Sequence, residues 1–332
     1  MESLPDAVLG IILEAAGAEA RAACMMTCRR LHEVARDPML WTSMRIYHVT
    51  PEATAFVRHV ASHLRTLHIG PAPAESIMAL LNETVPLSCL TSLRIQQQGA
   101  RVPSSCIAQL GGVPRLRDLH LEFCGVTQPT TLVVPWMPRL QRICIRQDRP
   151  HVLGFAFGNQ MTYQALRRVD IEAVRCDLLA ARAPQLSEVV LRSRSDSLRS
   201  LSLPSSCLQR VELDVLQRTD QPRLWRALGR ATRIDTLVLH CDREYVYIHR
   251  PIQVRALSIL VSAGVESVDF DSRAFARSQI QHLRVEAEPA RPLAMFTLRF
   301  TGTRSVTGWL ESMRRCSMTI QPGVSLEIEP DV

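Results

Sequence analysis

The chain has 332 residues, 46% hydrophobic and 21% charged, enough apolar material for one large domain or a small domain joined to an elongated one, and too much for intrinsic disorder. Its 39 basic and 32 acidic residues give a net charge of +7, and all 39 are arginine, because the sequence contains no lysine. That excludes chemistries built on a side-chain amine: the Gly-Lys-Ser phosphate loop, the kinase strand lysine and the Schiff-base lysine.

No apolar stretch approaches the roughly 20 residues that a membrane helix needs. The run at residues 7–13 already meets Glu14. Glu2 and Asp6 stand where a secretory signal carries positive charge, so no targeting peptide is read and an intracellular protein, in the cytoplasm or the nucleus, is expected. The 10 cysteines are scattered, which reads as reduced and mostly buried thiols. The glycosylation pattern Asn82-Glu83-Thr84 is accordingly expected to go unused.

Residues 4–44 predict three short helical pieces. Pro5 suits a first helical turn, Val8, Ile11, Ile12 and Ala15 recur at helical spacing, and Gly17 ends the helix. A second run, 19–26, leads into Cys28-Arg29-Arg30-Leu31, and Leu31, Val34 and Ala35 share one face until Asp37-Pro38 stops the helix. Leu40 and Trp41 follow as apolar anchors. About forty residues hold too little core to stand alone, so this head should lean on the rest of the chain or on a partner. Cys24, Cys28 and His32 fall on one helix face but lack a fourth metal ligand nearby. His32-Glu33 opens a zincin-like motif, yet Arg36 stands where its second histidine belongs.

Leu4-Pro5, Ile12-Leu13, Cys28-Arg29-Arg30, Asp37-Pro38 and Leu40-Trp41 follow one another without a gap in the order of the F-box pattern, so this segment resembles an F-box. Ala16, Thr27 and Leu31 depart from it, standing where the family usually has leucine, valine and tryptophan. An ordinary helical cap on a repeat array would use many of the same residues as core.

From residue 64 an apolar pattern recurs, as in Leu64-Leu67-Ile69, Leu90-Leu93-Ile95, Leu116-Leu119-Leu121, Leu140-Ile143-Ile145 and Leu166-Val169-Ile171. These units start at 64, 90, 116, 140 and 166, stepping by 26, 26, 24 and 26, the signature of stacked supersecondary units. Leu186, Leu208, Ile234, Val265 and Ile280 open further units, with an extra one at 198–203, and the period becomes irregular after residue 186. Each unit predicts a strand, and segments such as 75–81 and 223–228 predict helices between strands. Met295-Leu298-Phe300, a helix at 309–313 and Leu326-Ile328 are expected to close the array. The expected fold is therefore α/β: a three-helix head over residues 1–46, then an α/β solenoid over 47–332. That solenoid closely resembles a leucine-rich-repeat horseshoe. The unit at 116–127 matches its cysteine-containing variant, which implies that Cys124 satisfies the turn, whereas Ala72, Gln98, Asp148, Val174, Arg194 and Asp242 break the polar ladder elsewhere.

With the apolar residues inward, the alternating positions should face the concave, partner-binding side. They comprise His68, Arg94, Asp118, His120, Glu122, Arg142, Arg146, Arg168, Asp170, Glu172, Glu188, Arg192, Arg210, Glu212 and Asp214, then His240, Asp269, Asp271, Arg284 and Glu286. Of these, Arg94, His120, Arg142, Arg146, Arg168, Asp170, Glu172, Arg210 and Glu212 are the candidate substrate contacts. Arg142, Arg146 and Arg168 suggest a basic middle ahead of a more acidic last third, a charge gradient able to select a protein segment. A solvated face of mixed charge without a ligand is the plainer reading.

The two resemblances together imply the substrate receptor of a Skp1-cullin-F-box ubiquitin ligase. The implied Skp1 contacts are Leu4, Pro5, Ile12, Leu13, Cys28, Leu31, Pro38, Leu40 and Trp41, with a cullin reached through Skp1 and a protein substrate on the concave face. No cofactor, metal, catalytic residue or membrane is implied. Nucleic acid is not the expected partner, because the arginines are spread along the chain and aromatic residues make up only 5%. The alternative is a repeat-based interaction scaffold without a ligase. A lysine-free receptor would also offer ubiquitin no side-chain amine, a consequence that arginine-favouring codon usage produces equally well.

Overall fold

The computed structural model describes residues 4–84, 87–103, 105–148, 153–157, 162–172, 175–177, 183–192, 208–215, 233–241, 245–246, 253–261, 267–271, 280–287, 296–301, 317–320 and 324–329. Three helices open the chain: α1 (Asp6–Ala15), α2 (Gly17–Met25) and α3 (Arg29–Ala35). Gly17, with a φ of 79°, turns the chain between α1 and α2 in a conformation that a side chain resists. Asp37 caps the short 3-10 turn Pro38–Leu40 by accepting from the Met39 N–H at 2.9 Å. On α1 the buried residues are Leu9 and Leu13, whereas Val8, Ile11 and Ile12, the spacing that marks the helix in sequence, are exposed. A helix apolar on nearly every side can cover only the side that meets α2, α3 and the 3-10 turn.

Trp41 joins this head to the rest of the molecule. It is 4% exposed, its Nε1 donates to the Ala35 carbonyl at 2.6 Å, and its ring meets Phe56 edge-on at 4.9 Å. Phe56 lies on α4 (Pro51–Val60). The buried Arg21 guanidinium sits 5.2 Å from the Trp41 ring centroid while Nη1 donates to the Leu13 and Glu14 carbonyls at 3.1 and 3.2 Å. One arginine thereby clamps the end of α1 onto the tryptophan.

Ser43–Ile46, which follows at once, is the edge strand of a twelve-stranded parallel sheet. The next members are Thr66–Ala72, Ser92–Gln98, Asp118–Cys124, Arg142–Gln147, Arg168–Glu172 and Glu188–Arg192. Leu208–Val215, Ile234–Cys241, Val254–Val261, His282–Ala287 and Ser317–Ile320 complete it. The sheet thus begins inside the segment assigned to the head. Leu67, Leu93, Leu119, Ile143, Val169, Val189, Val211, Leu237, Leu257 and Leu283 fall opposite one another in register, all buried. At the strand entries one carbonyl accepts two N–H groups from the next turn. Thr42, Arg65, Thr91, Arg117, Gln141, Arg167 and Ser187 all do so. The apolar rows merge into a single cluster that reaches from Leu13 in the head to Val285.

The return segments change along the chain. The first two are helices, α4 and α5 (Ala74–Thr84), and the third is the 3-10 turn Ala108–Gly112. Later returns are strands. Thr130–Val134, Leu153–Phe157 and Arg175–Asp177 form a three-stranded sheet, and Tyr245–Val246, Ser267–Asp271, Phe296–Thr301 and Val324–Glu329 a four-stranded one. The expected helix at 75–81 is present in α5, whereas in these later turns β-branched stretches such as Thr130-Thr131-Leu132-Val133-Val134 favour extended chain. The segments 198–203, 223–228 and 309–313, and the turn residues Val174, Arg194 and Asp242, lie outside the described residues.

Three strand assignments also change. The units containing Val268, Leu298 and Leu326 lie in the four-stranded sheet, and the large sheet instead takes Val254–Val261, where Val254, Leu257 and Ile259 carry the same spacing. Asp269 and Asp271 therefore lie on a strand outside the large sheet. With two strands in one turn, spacing cannot say which joins which sheet. The turn after Asp118–Cys124 is held by Asp148 rather than by Cys124: its carboxylate accepts from the Gly125 N–H at 2.7 Å, with Gly125 at a φ of 75°. No helix among the described residues is long and apolar enough to cross a membrane.

Candidate functional site

Two surfaces stand out, one on the head and one on the large sheet. Among the implied Skp1 contacts, Pro5, Ile12 and Cys28 are exposed, Leu4, Leu31 and Pro38 half-buried, and Leu13, Leu40 and Trp41 buried in the core. Burial makes those last three supports of the surface, not parts of it. Arg30 holds the entry to α1, with Nη2 on the Leu4 carbonyl and 2.7 Å from Asp6. Val8, Ile11 and Ile12 form one exposed stripe at i, i+3 and i+4 on α1, and Met26 and Met39 are exposed beside neighbouring turns. Motif matching passes over Val8, Ile11, Met26 and Met39. The available signal was the composition of α1, which holds more apolar residues than one buried face can use.

On the large sheet the strand register gathers the other candidates. Arg45, His68, Arg94, His120, Cys144 and Asp170 lie side by side in one row. Asp118, Arg142, Arg168, Glu188 and Arg210 make the adjacent row, Glu122 lies opposite Arg146, and Glu172 opposite Arg192. Residues tens of positions apart in the chain become neighbours because parallel strands pack about 4.8 Å apart.

The expected basic middle is neutralised from within. Arg142 Nε binds Asp118, Arg146 lies 3.0 Å from Asp170 and 3.8 Å from Glu172, and Arg168 lies 3.7 Å from Asp170 and 3.1 Å from Glu188. Arg94 reaches Glu122 at 3.3 Å, while Arg192, Arg210 and His240 converge on Glu212 at 2.9, 2.8 and 3.2 Å. The pairs are layered. The Asp170 and Glu212 side chains are 8% exposed, whereas those of Arg168 and Arg142 are 47% and 65% exposed. Carboxylates form the floor and guanidiniums the outer surface, so a long charge gradient gives way to local pairing.

This packing perturbs several groups. The hydrogen bond with His240, aided by Arg210 and Arg192, holds Glu212 well below the usual carboxylate range. Burial pushes Asp214 up to about 6. His68 and His120 are held below the ordinary imidazole value, by burial first and then by neighbouring arginines. Burial raises the Cys144 and Cys124 thiols and pushes Cys106 up to about 12, away from the thiolate a nucleophile needs. Among the described residues no group of three or more His, Cys, Asp or Glu side chains is arranged to hold a metal ion.

The histidines and Asp214 pull stability in opposite directions with pH. Below the unfolded imidazole value of 6.5 the unfolded chain binds protons that folded His68 and His120 refuse, so their contribution is lost as pH falls. Folded Asp214 takes up a proton near pH 6 that the unfolded carboxylate, near 3.8, does not, so its contribution improves as pH falls. Between about pH 7.5 and about pH 5.5, His120→Gln is expected to make the change in melting midpoint more favourable than in the parent, and Asp214→Asn less favourable. Identical midpoint changes in all three proteins would contradict these assignments.

The chain thus joins a helical head with an exposed apolar stripe to a parallel sheet with an ion-paired polar face. A family model described as F-box-like matches residues 1–47, from the start of the head to the end of the first sheet strand. F-box domains bind Skp1, and F-box proteins are typically non-catalytic adaptors. No curated protein matches the chain.

Proposed function

We propose that the chain is the substrate-recognition subunit of a Skp1-cullin-F-box ubiquitin ligase. The head docks Skp1, which carries the cullin, and the large sheet, taken as the concave face of a leucine-rich-repeat solenoid, holds a protein substrate. Attachment then raises the effective concentration of substrate beside the ubiquitin-charged enzyme, without a catalytic group on this chain. The F-box-like match over residues 1–47 carries this reading, on a head whose α1 stripe is free for a partner. The in-register apolar rows and the repeated strand-entry carbonyls support a repeat array.

The test is a pull-down of purified Skp1–Cul1 with the full chain and with a Pro5→Ala, Ile11→Asp, Ile12→Asp variant. All three positions are exposed, so the variant should keep the parent circular dichroism and melting profile while losing at least about tenfold in Skp1 affinity. Failure of the intact chain to bind would favour a repeat scaffold whose head is a cap.

A further inference from the structure

All 39 basic side chains are arginine, and the fold does not demand it at every one. Some positions need a fork. Arg21 donates to two carbonyls beside the Trp41 ring, and Arg146 and Arg168 each lie within ion-pair distance of two carboxylates. Arg65, Arg117, Arg139 and Arg167 do not. Their side chains are exposed and make no hydrogen bond or ion pair among the described residues, so lysine there would keep the charge and break no contact.

Docking at a ligase turns the missing lysine into a chemical property. A chain held by its head carries its own surface, along with its substrate, beside the ubiquitin-charged enzyme. Transfer then needs a nucleophile. The nitrogen lone pair of a lysine attacks the carbonyl of the ubiquitin thioester, the C–N bond forms and the C–S bond breaks. Of the two protons the ammonium loses, one goes to the departing thiolate and one to water. A guanidinium keeps its proton and its delocalised lone pairs, so it cannot take that role. Among the described cysteines only Cys28 is exposed, and ubiquitin on its thiol would remain a thioester, no more stable than the one it left.

We propose that the absence of lysine exempts the side chains of this receptor from ubiquitin transfer by the ligase it docks into, so that delivering substrates does not consume it. The inference rests on the ligase reading above and adds a regulation to it: turnover of the receptor is uncoupled from its activity. The property follows from the side chains present, whatever codon usage produced them.

The experiment combines the full chain with purified Skp1–Cul1 and its RING subunit, the ubiquitin-activating and ubiquitin-conjugating enzymes, ATP and methylated ubiquitin, which marks acceptor sites without chain growth. Mass spectrometry maps the sites, so the α-amino group is scored apart from side chains. The parent should carry no ubiquitin on any side chain. A variant combining Arg65→Lys, Arg117→Lys, Arg139→Lys and Arg167→Lys should be modified on the new lysines, with a total rate at least about tenfold above the parent's. The single variants Arg65→Lys and Arg167→Lys repeat the reading should the combined variant melt early. Ubiquitin esters on serine or threonine of the parent, or Skp1-bound variants whose lysines stay bare, would overturn the exemption alone. Absence of Skp1 binding by the parent, measured on the same preparations, would overturn the ligase reading and the exemption together.

Discussion

Trp41→Ala is expected to cost about 3–5 kcal/mol of folding stability, the range for deleting a buried aromatic side chain. Three losses coincide at this position. The Ala35 carbonyl loses its 2.6 Å donor, Phe56 loses its edge-on partner, and Arg21 is left against a void while still tied to the Leu13 and Glu14 carbonyls. Chemical denaturation should show a large drop in midpoint, and Skp1 binding should fall with it as a consequence of unfolding. Trp41→Phe keeps a ring and should cost much less. A cost below about 1 kcal/mol for Trp41→Ala would show that the head is not anchored through this side chain. The same reasoning explains why a test of partner binding belongs on exposed Ile11 and Ile12, where substitution should stay within about 0.5 kcal/mol.

Reversing the charge of Arg146 is expected to cost about 3–5 kcal/mol, more than reversal at Arg142. The difference lies in the carboxylates beneath. Asp170 is 8% exposed, and removing its 3.0 Å partner leaves this buried carboxylate with only the more distant Arg168, at 3.7 Å, whereas Asp118 is 31% exposed and can be resolvated. Triple reversal of Arg142, Arg146 and Arg168 would therefore damage the sheet as well as any ligand site, and lost partner capture in that variant would not identify a contact. Denaturant titration of a cycle with Arg146→Gln and Asp170→Asn separates the two effects. The double variant should be more stable than Arg146→Gln alone, because it removes the buried carboxylate that Arg168, at 3.7 Å, would otherwise balance alone. Additive losses would mean that Asp170 is neutralised by other groups.

Much of the framework was legible in the linear pattern. The motif at 64, 90, 116, 140 and 166 places Leu67, Leu93, Leu119, Ile143 and Val169 in one buried row, because a repeat of nearly constant length stacks equivalent positions. The F-box pattern was readable from Leu4-Pro5 to Leu40-Trp41, which the family match at 1–47 supports. Past residue 186 the spacing was ambiguous. Strands of both sheets carry the same apolar alternation there, so spacing alone does not separate Val254–Val261, a strand of the large sheet, from the strand of Asp269, which belongs to the four-stranded sheet.

The sequence by itself determined the alternation that sends apolar side chains to one face and charges to the other, the repeat length that stacks them, the helical head and the absence of lysine. All of these are local in the chain or set by its composition. Only the tertiary structure decided that α1 buries Leu9 and Leu13 while presenting Ile11 and Ile12, and that Arg142, Arg146 and Arg168 are already paired. The physical reason is distance along the chain. The nearest carboxylate of Arg142, Arg146 and Arg168 sits on the neighbouring strand, 20 to 24 residues away, and its depth depends on how the strands pack.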